Sequence, residues 1–383
     1  MEFDFLAPLG TEILEYINGL TSQQLGSKVV LHTKDQFPDL SKVKIAIIGV
    51  LENRGNNKAI SDVDLTAVRK ELYSLFPGNW NASIADFGDI LAGNDLEDTY
   101  FALRKVVASL IKNGIIPIVI GGSQDLTYAL YRAYDDLEQM VNLVAIDSKF
   151  DFGKETGDVS ANSYLTKIII DEPNNLFNYC NIGYQTYFNS QEEIDLIEKL
   201  FFDAYRLGEV SNNISISEPV FRDADLVSID LNAIKSSDSG DFISFKPNGF
   251  NGKEICSLSR YAGISDKVSL FGIFNQNNSV QESVIIAQII WYFIEGFHYR
   301  SNEYPFGSRD YYLKYIVPLD EEELVFYKSD KTDRWWIEIP FMSNGNNKLK
   351  RNTLLPCSYE EYLSACNQEL PERWWKAQRK NIL

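Results

Sequence analysis

The sequence predicts an α/β protein: a central, mainly parallel sheet sandwiched between helices in three layers. Two observations carry this. Short apolar runs alternate with amphipathic helical segments through short connections, and the runs are apolar throughout rather than at every second residue. Strands buried on both faces need that composition, and helices that return the chain between parallel strands supply the cover.

The elements follow in order. "KVKIAIIGV" (42–50) is a first core strand, followed by the helical spacing of Leu65, Val68, Leu72 and Leu75. "NASIADFGDI" (81–90) is a short strand. Residues 95–114 form an amphipathic helix with Asp95 as its N-cap and Gly114 at its end. "IIPIVIGG" (115–122) is a buried strand stopped by two glycines; a helix (123–137) and the strand "VNLVAID" (141–147) come next. The pattern resumes with strands at 224–234 and 267–274 and helices at 251–264 and 283–297. The last 80 or so residues differ, being rich in aromatics and punctuated by prolines. We expect an N-terminal extension (1–41), one α/β domain (42–304) and a C-terminal extension (305–383) packed on or beside it.

Composition excludes several functions. The 383 residues carry 36 Lys and Arg against 54 Asp and Glu, a formal charge of −18, so a polyanion such as nucleic acid is not an expected partner. No apolar run approaches the roughly 20 residues of a membrane span, so no membrane insertion is expected. The four cysteines (Cys180, Cys256, Cys357, Cys366) show no metal-type spacing, and the start shows no basic leader. A cytoplasmic protein with reduced thiols is expected.

In sheets of this kind ligands bind beyond the carboxyl ends of the strands. Three such ends stand out: "GGSQD" (121–125), "DSKFD" (147–151) and "DLN" (230–232). Their order and spacing resemble the ureohydrolase family of arginase, agmatinase and formimidoylglutamase, whose active members carry Gly-Gly-Asp-His-Ser, Asp-x-His-x-Asp and Ser-x-Asp-x-Asp at these ends. The resemblance runs from about residue 43 to 300 and takes in "IGVLENRGNNKA", "NIGYQTYF" (181–188) and "PNGF" (247–250) before a helix with Glu254. It is nearest in flavour to formimidoylglutamase. It implies two manganese ions activating a hydroxide that attacks a guanidinium or formimino carbon.

The ligand positions depart from that pattern. The family histidines fall on Gln124 and Lys149, and the last aspartate falls on Asn232; Asp147, Asp151 and Asp230 remain. A family glutamate near the substrate falls on Asn275. The chain has only two histidines, His32 and His298, and neither lies in a motif. We therefore expect three converging carboxylates neutralised by the Lys149 ammonium, with no catalytic residue and no cofactor. The alternative is a single weakly bound divalent cation held by Asp147, Asp151, Asp230 and Asn232.

The expected function is a non-catalytic ureohydrolase-like scaffold, binding module or subunit, with a protein partner or a second copy of the chain. The alternative is a C–N hydrolase of formimidoylglutamate or guanidinium-type substrates with an altered metal site. Two tryptophan pairs, Trp335–Trp336 and Trp374–Trp375, are candidates for a partner interface. Ser123 reads as a helix cap rather than a nucleophile, and Cys256 as core.

Overall fold

The computed structural model describes residues 2–382 except 57–62, 81–82, 154–158, 304, 306–308, 320–322 and 340–353. The end of the "IGVLENRGNNKA" segment therefore lies outside the described residues. Ten strands make the main sheet: β1 (Leu6–Ala7), β2 (Val30–Leu31), β3 (Ile45–Leu51), β4 (Ile84–Leu91), β5 (Ile116–Gly121), β6 (Val141–Ile146), β7 (Leu176–Tyr184), β8 (Asp203–Arg206), β9 (Leu226–Asp230) and β10 (Leu270–Phe274). Their order is β1-β4-β3-β5-β10-β9-β6-β7-β8, with β2 also beside β4. Only the β1–β4 pairing is antiparallel.

The sheet separates two apolar layers. On one face Val144, Ile146, Val227 and Ile229 meet the helices Thr66–Ser74, Gly252–Ile264 and Val280–His298. On the other, Leu143, Ala145 and Leu226 meet Leu96–Lys112, Leu126–Arg132 and Tyr164–Ile170. Alternate residues of one strand serve opposite layers, as pleating requires, and that accounts for the unbroken apolar runs. Helix ends follow the sequence signals. Asp95 and Asp98 form a reciprocal capping box, as do Asn251 and Glu254. Ser123 does not cap: the N-cap of the next helix is Asp125, and Ser123 Oγ is buried without a partner. The chain reaches the cap position only after a turn through Ser123 and Gln124.

A second, antiparallel sheet follows in the order β11 (Tyr312–Pro318), β12 (Glu323–Ser329), β13 (Trp335–Glu338) and β14 (Leu354–Cys357). The helices Tyr359–Cys366 and Glu372–Ile382 come after it. Here the tryptophan expectation is corrected. Trp335 stacks on Tyr362 at 4.6 Å and Trp374 shares the same small core. Trp336 faces the other way, and Trp375 sits half-buried against Phe201. The pairs were candidates for a partner interface, but three of the four rings are buried within this chain.

Arg222 ties this sheet to the main domain. It is buried, donates to the main-chain oxygens of Trp335 (3.1 Å) and Cys357 (2.8 Å), and lies 4.8 Å from the Trp336 ring centre. Arg222→Ala strands two buried carbonyls, a loss of about 2–4 kcal/mol. The expected outcome is earlier proteolytic cleavage within residues 305–383, read by mass spectrometry against the parent chain.

Candidate functional site

Four neighbouring strands, β5, β10, β9 and β6, deliver the site at their carboxyl ends. Gln124 follows β5, Asn275 follows β10, Asp230 ends β9, and Asp147 follows β6. The register pairs Phe274 with Asp230 and Ile146 with Ile229, which sets the Asp147 and Asp230 positions about level. Both side chains project to the layer of the Tyr164–Ile170 helix, by the same alternation that sends Ile146 and Ile229 to the opposite one. The sheet thus brings together Gln124, Asp147, Asp151 and Asp230, all buried, as the motifs predict.

Amides hold the carboxylates. Gln124 Nε2 donates to Asp147 Oδ2 at 2.7 Å and the Lys149 main-chain N–H to Asp147 Oδ1 at 2.9 Å. Asp230 Oδ1 accepts from the Asn232 main-chain N–H (2.8 Å) and from Asn275 Nδ2 (2.9 Å). Asn275 Oδ1 in turn accepts from the Gln124 main-chain N–H at 3.1 Å. Asp151 and Asn275 both sit in the left-handed backbone region, at φ 57° and 63°. Asp and Asn tolerate that region better than most side chains, and in this site it aims them inward.

The charge is not balanced in the expected way. Lys149 is exposed, and its only hydrogen bonds to the site are from its backbone. Burial dominates the three carboxyls, offset in part by the charge of Lys149 on Asp151 and of Lys246 on Asp230. Burial, then Asp151 and Asp230, push Asp147 well above the usual carboxyl range. Burial, then Asp230, push Asp151 up to about 7, and burial raises Asp230 despite its amide donors. Asp151 Oδ2 is buried with no donor. The neighbouring Asp147 carboxyl serves as one only while protonated.

Two residues that the motifs did not reveal complete the site. Lys246 Nζ donates to Asn232 Oδ1 at 2.8 Å and to Asp241 Oδ2 at 3.0 Å, so the lysine that enters this pocket comes from a distant connecting segment. It stands immediately before the "PNGF" stretch, which was its only sequence signal. Glu282, buried near Asp230, Asp241 and Lys246, has its carboxyl pushed up to about 8 by burial. In the sequence it lies just before the helix read at 283–297; in the structure that helix begins at Val280 after the Ser279 cap, and Glu282 is its third residue.

Among the described residues no group of three or more His, Cys, Asp or Glu side chains is gathered as a metal-ligand shell. The carboxylates point instead at the amide donors just named. Their chemistry nevertheless fits metal ions bound by oxygen: three buried acids raised chiefly by burial, and one carboxylate oxygen without a hydrogen-bond partner. Gln124, Lys149 and Asn232 do not reproduce the family's imidazole and carboxylate set. His32 is bonded to the Phe87 main-chain oxygen at the far side of β4, and His298 ends a long helix; neither joins the site. Among the described residues no helix is long and apolar enough to cross a membrane.

A family model described as the arginase family matches residues 44–257. The chain is 33% identical over 132 residues to the formimidoylglutamase of Geobacillus thermodenitrificans, covering 33% of this chain and 38% of that protein. It is 23% identical over 284 residues to the formimidoylglutamase of Staphylococcus aureus, covering 68% and 90%. Two solved structures share the fold. Trypanosoma cruzi formiminoglutamase with Mn2+2 has a TM-score of 0.62 at 20% identity, over 69% of this chain and 97% of that one. Bacillus subtilis formimidoylglutamase has a TM-score of 0.61 at 16% identity, over 76% and 100%. The expectation of no cofactor, or of one weakly held cation at most, is thereby corrected. A solved relative in the same fold is described with Mn2+2, and the lysine on which that expectation rested lies outside the carboxylate cluster.

Proposed function

Because the chain belongs to the arginase family, we propose that it hydrolyses C–N bonds of formimidoyl or guanidinium compounds, with an altered metal site held by Asp147, Asp151 and Asp230. One observation carries this reading: three buried carboxyls meet at the ends of adjacent strands, with the Lys149 side chain outside the cluster and Asp151 Oδ2 lacking a hydrogen-bond partner. The names of the relatives set the substrate class, a nitrogen-bearing sp² carbon.

A bound metal centre would supply a hydroxide-like nucleophile near neutral pH and polarise the substrate. The chain's own part is to place that chemistry. Asp147, Asp151 and Asp230 hold the charge. Gln124 and Asn275 fix two of these carboxylates through N–H bonds at 2.7 and 2.9 Å. Glu282, its carboxyl pushed up to about 8 by burial, is the candidate proton donor to a departing nitrogen.

The test is release of ammonia, urea or formamide from formimidoylglutamate, agmatine and arginine by protein stripped with chelator and reloaded with manganese. We expect cation-dependent turnover, falling at least about 100-fold in Asp147→Asn. A second reading is supported by the bonds from Gln124 to Asp147 and from Lys246 to Asn232, which occupy two altered ligand positions internally. In that reading the protein is a non-catalytic scaffold or subunit with a protein partner or a second copy. Absence of turnover with every divalent cation, from a well-folded preparation, would select it.

A further inference from the structure

The main sheet has a second edge, where its parallel strands begin. Lys44 immediately precedes β3, Ser83 immediately precedes β4, Asp266 lies four residues ahead of β10, and His298 is the last residue of the helix Val280–His298. Together with Phe297 and Arg300 they line a cleft of about 310 Å³. The acids of the candidate site lie at the other edge, beyond the carboxyl ends of the same sheet.

This cleft is short of negative charge. The chain carries 54 acidic residues against 36 Lys and Arg, and cations elsewhere find carboxylates: Lys70 with Glu12, Arg104 with Asp136, Arg260 with Glu295, Lys328 with Asp333. Among the described residues no carboxylate pairs with Lys44 or His298. Arg300 donates from Nε to the Gly263 carbonyl at 2.8 Å and from Nη2 to the Val268 carbonyl at 2.9 Å, which leaves Nη1 without an acceptor among the described residues. Its guanidinium lies over Phe297, 4.9 Å from the ring centre. Burial pulls it down to about 10, with Asp266 as the opposing charge. The Asp266 carboxylate is itself committed, to the main-chain N–H groups of Asn302 (3.0 Å) and Glu303 (2.7 Å) and to the Ser301 hydroxyl (3.4 Å). Donors of that kind draw off the charge that would otherwise balance the guanidinium.

We infer that this cleft binds a small phosphate monoester, its phosphate held by Lys44, His298 and Arg300 Nη1 and its organic part against Phe297. A dianion with three free oxygens suits three donors arriving from separate segments, and a guanidinium fixed through two of its nitrogens presents the third in a set direction. A carboxylate, with one charge and two oxygens, leaves a donor unused. The inference goes beyond the hydrolase reading and does not depend on it, since the two sites occupy opposite edges of the sheet.

The test is calorimetric titration of the full chain with glycerol 3-phosphate, inorganic phosphate and acetate, at pH 7 and an ionic strength held at about 0.15 M. Wild type is compared with Lys44→Gln and His298→Gln. Both positions are exposed, and melting checks the fold. Lys253→Gln, at the start of the helix Gly252–Ile264, removes the same charge outside the cleft. We expect glycerol 3-phosphate to bind at about millimolar or tighter, at least as well as inorganic phosphate, with acetate at least about tenfold weaker. Lys44→Gln should weaken phosphate binding about 5- to 10-fold and His298→Gln about threefold or more, while Lys253→Gln stays within about twofold. Wild type that binds neither phosphate overturns the inference. So does acetate binding as tightly as phosphate, or glycerol 3-phosphate binding more weakly than inorganic phosphate. A folded Lys44→Gln that binds like wild type, or a Lys253→Gln that loses as much, overturns it as well.

Discussion

Loading the cation-free protein with manganese at pH 8, at about 100 times its dissociation constant, will raise the melting temperature by about 3 °C. The gain will shrink as the pH falls toward 5. Ligand at that excess contributes about 2.7 kcal/mol, and a chain of this size converts that at about 1 °C per kcal/mol. The pH dependence follows from the direction of the shifts. Asp151 is pushed up to about 7 and Glu282 to about 8, from ordinary values of 3.8 and 4.5. Between about pH 4 and 8 the folded state thus holds more protons than the unfolded one, and cation-free stability declines as the pH rises through that window. Below pH 5 these carboxyls are protonated when folded and a cation must displace protons, so it gains little. Calorimetry from pH 5 to 8, with chelator and with manganese, measures both limbs. Asp151→Asn should raise the cation-free melting temperature at pH 8 and abolish most of the manganese response. A cation-free melting temperature that climbs from pH 6 to 8 would refute the linkage.

Arg69→Met will cost about 3–5 kcal/mol of unfolding free energy, the usual penalty for removing one partner of a buried ion pair. Arg69 donates to Asp86 at 2.8 and 3.3 Å, to Asp89 at 2.8 and 3.1 Å, and to the Gly88 carbonyl at 3.1 Å. Asp86 is completely buried, and its remaining side-chain partner is the Tyr73 hydroxyl. Methionine fills much of the volume but leaves Asp86 charged and without a cation. Arg69→Lys should cost less, because an ammonium keeps the charge and loses only the forked geometry. Urea denaturation of the three proteins gives the order, and a methionine variant within about 1 kcal/mol of wild type would rule the argument out.

The parallel sheet was legible because strands covered on both faces must be apolar throughout and their connecting helices must be amphipathic. The carboxylates were legible because parallel strands set their ends side by side, whatever the loops do. Lys149 was misplaced for a definite reason. The i, i+2 alternation that would aim residues 147, 149 and 151 together holds only within a strand, and β6 ends at Ile146. Beyond it the chain turns, Asp151 adopts φ 57°, and Lys149 swings out to solvent. Lys246 was missed because its approach to Asn232 depends on the path of the segment between Asp230 and the next helix, and no periodicity encodes that path. The second sheet was not foreseen either. Its strands are short and its aromatic pairs sit among charges, while the arginine that covers Trp336 lies more than a hundred residues earlier.

The way Arg222 grips that sheet bears on how freely the two halves can diverge in sequence. Its guanidinium reads main-chain carbonyls on β13 and β14, which every amino acid at those positions presents alike. Side chains along these strands can therefore drift, including those at Trp335 and Cys357, without erasing the attachment. Arg222 cannot drift in the same way, since no other side chain forks to two carbonyls while lying over a ring. The joint is thus tolerant on one side and demanding on the other, and the tail can change its surface while its seat on the domain stays fixed.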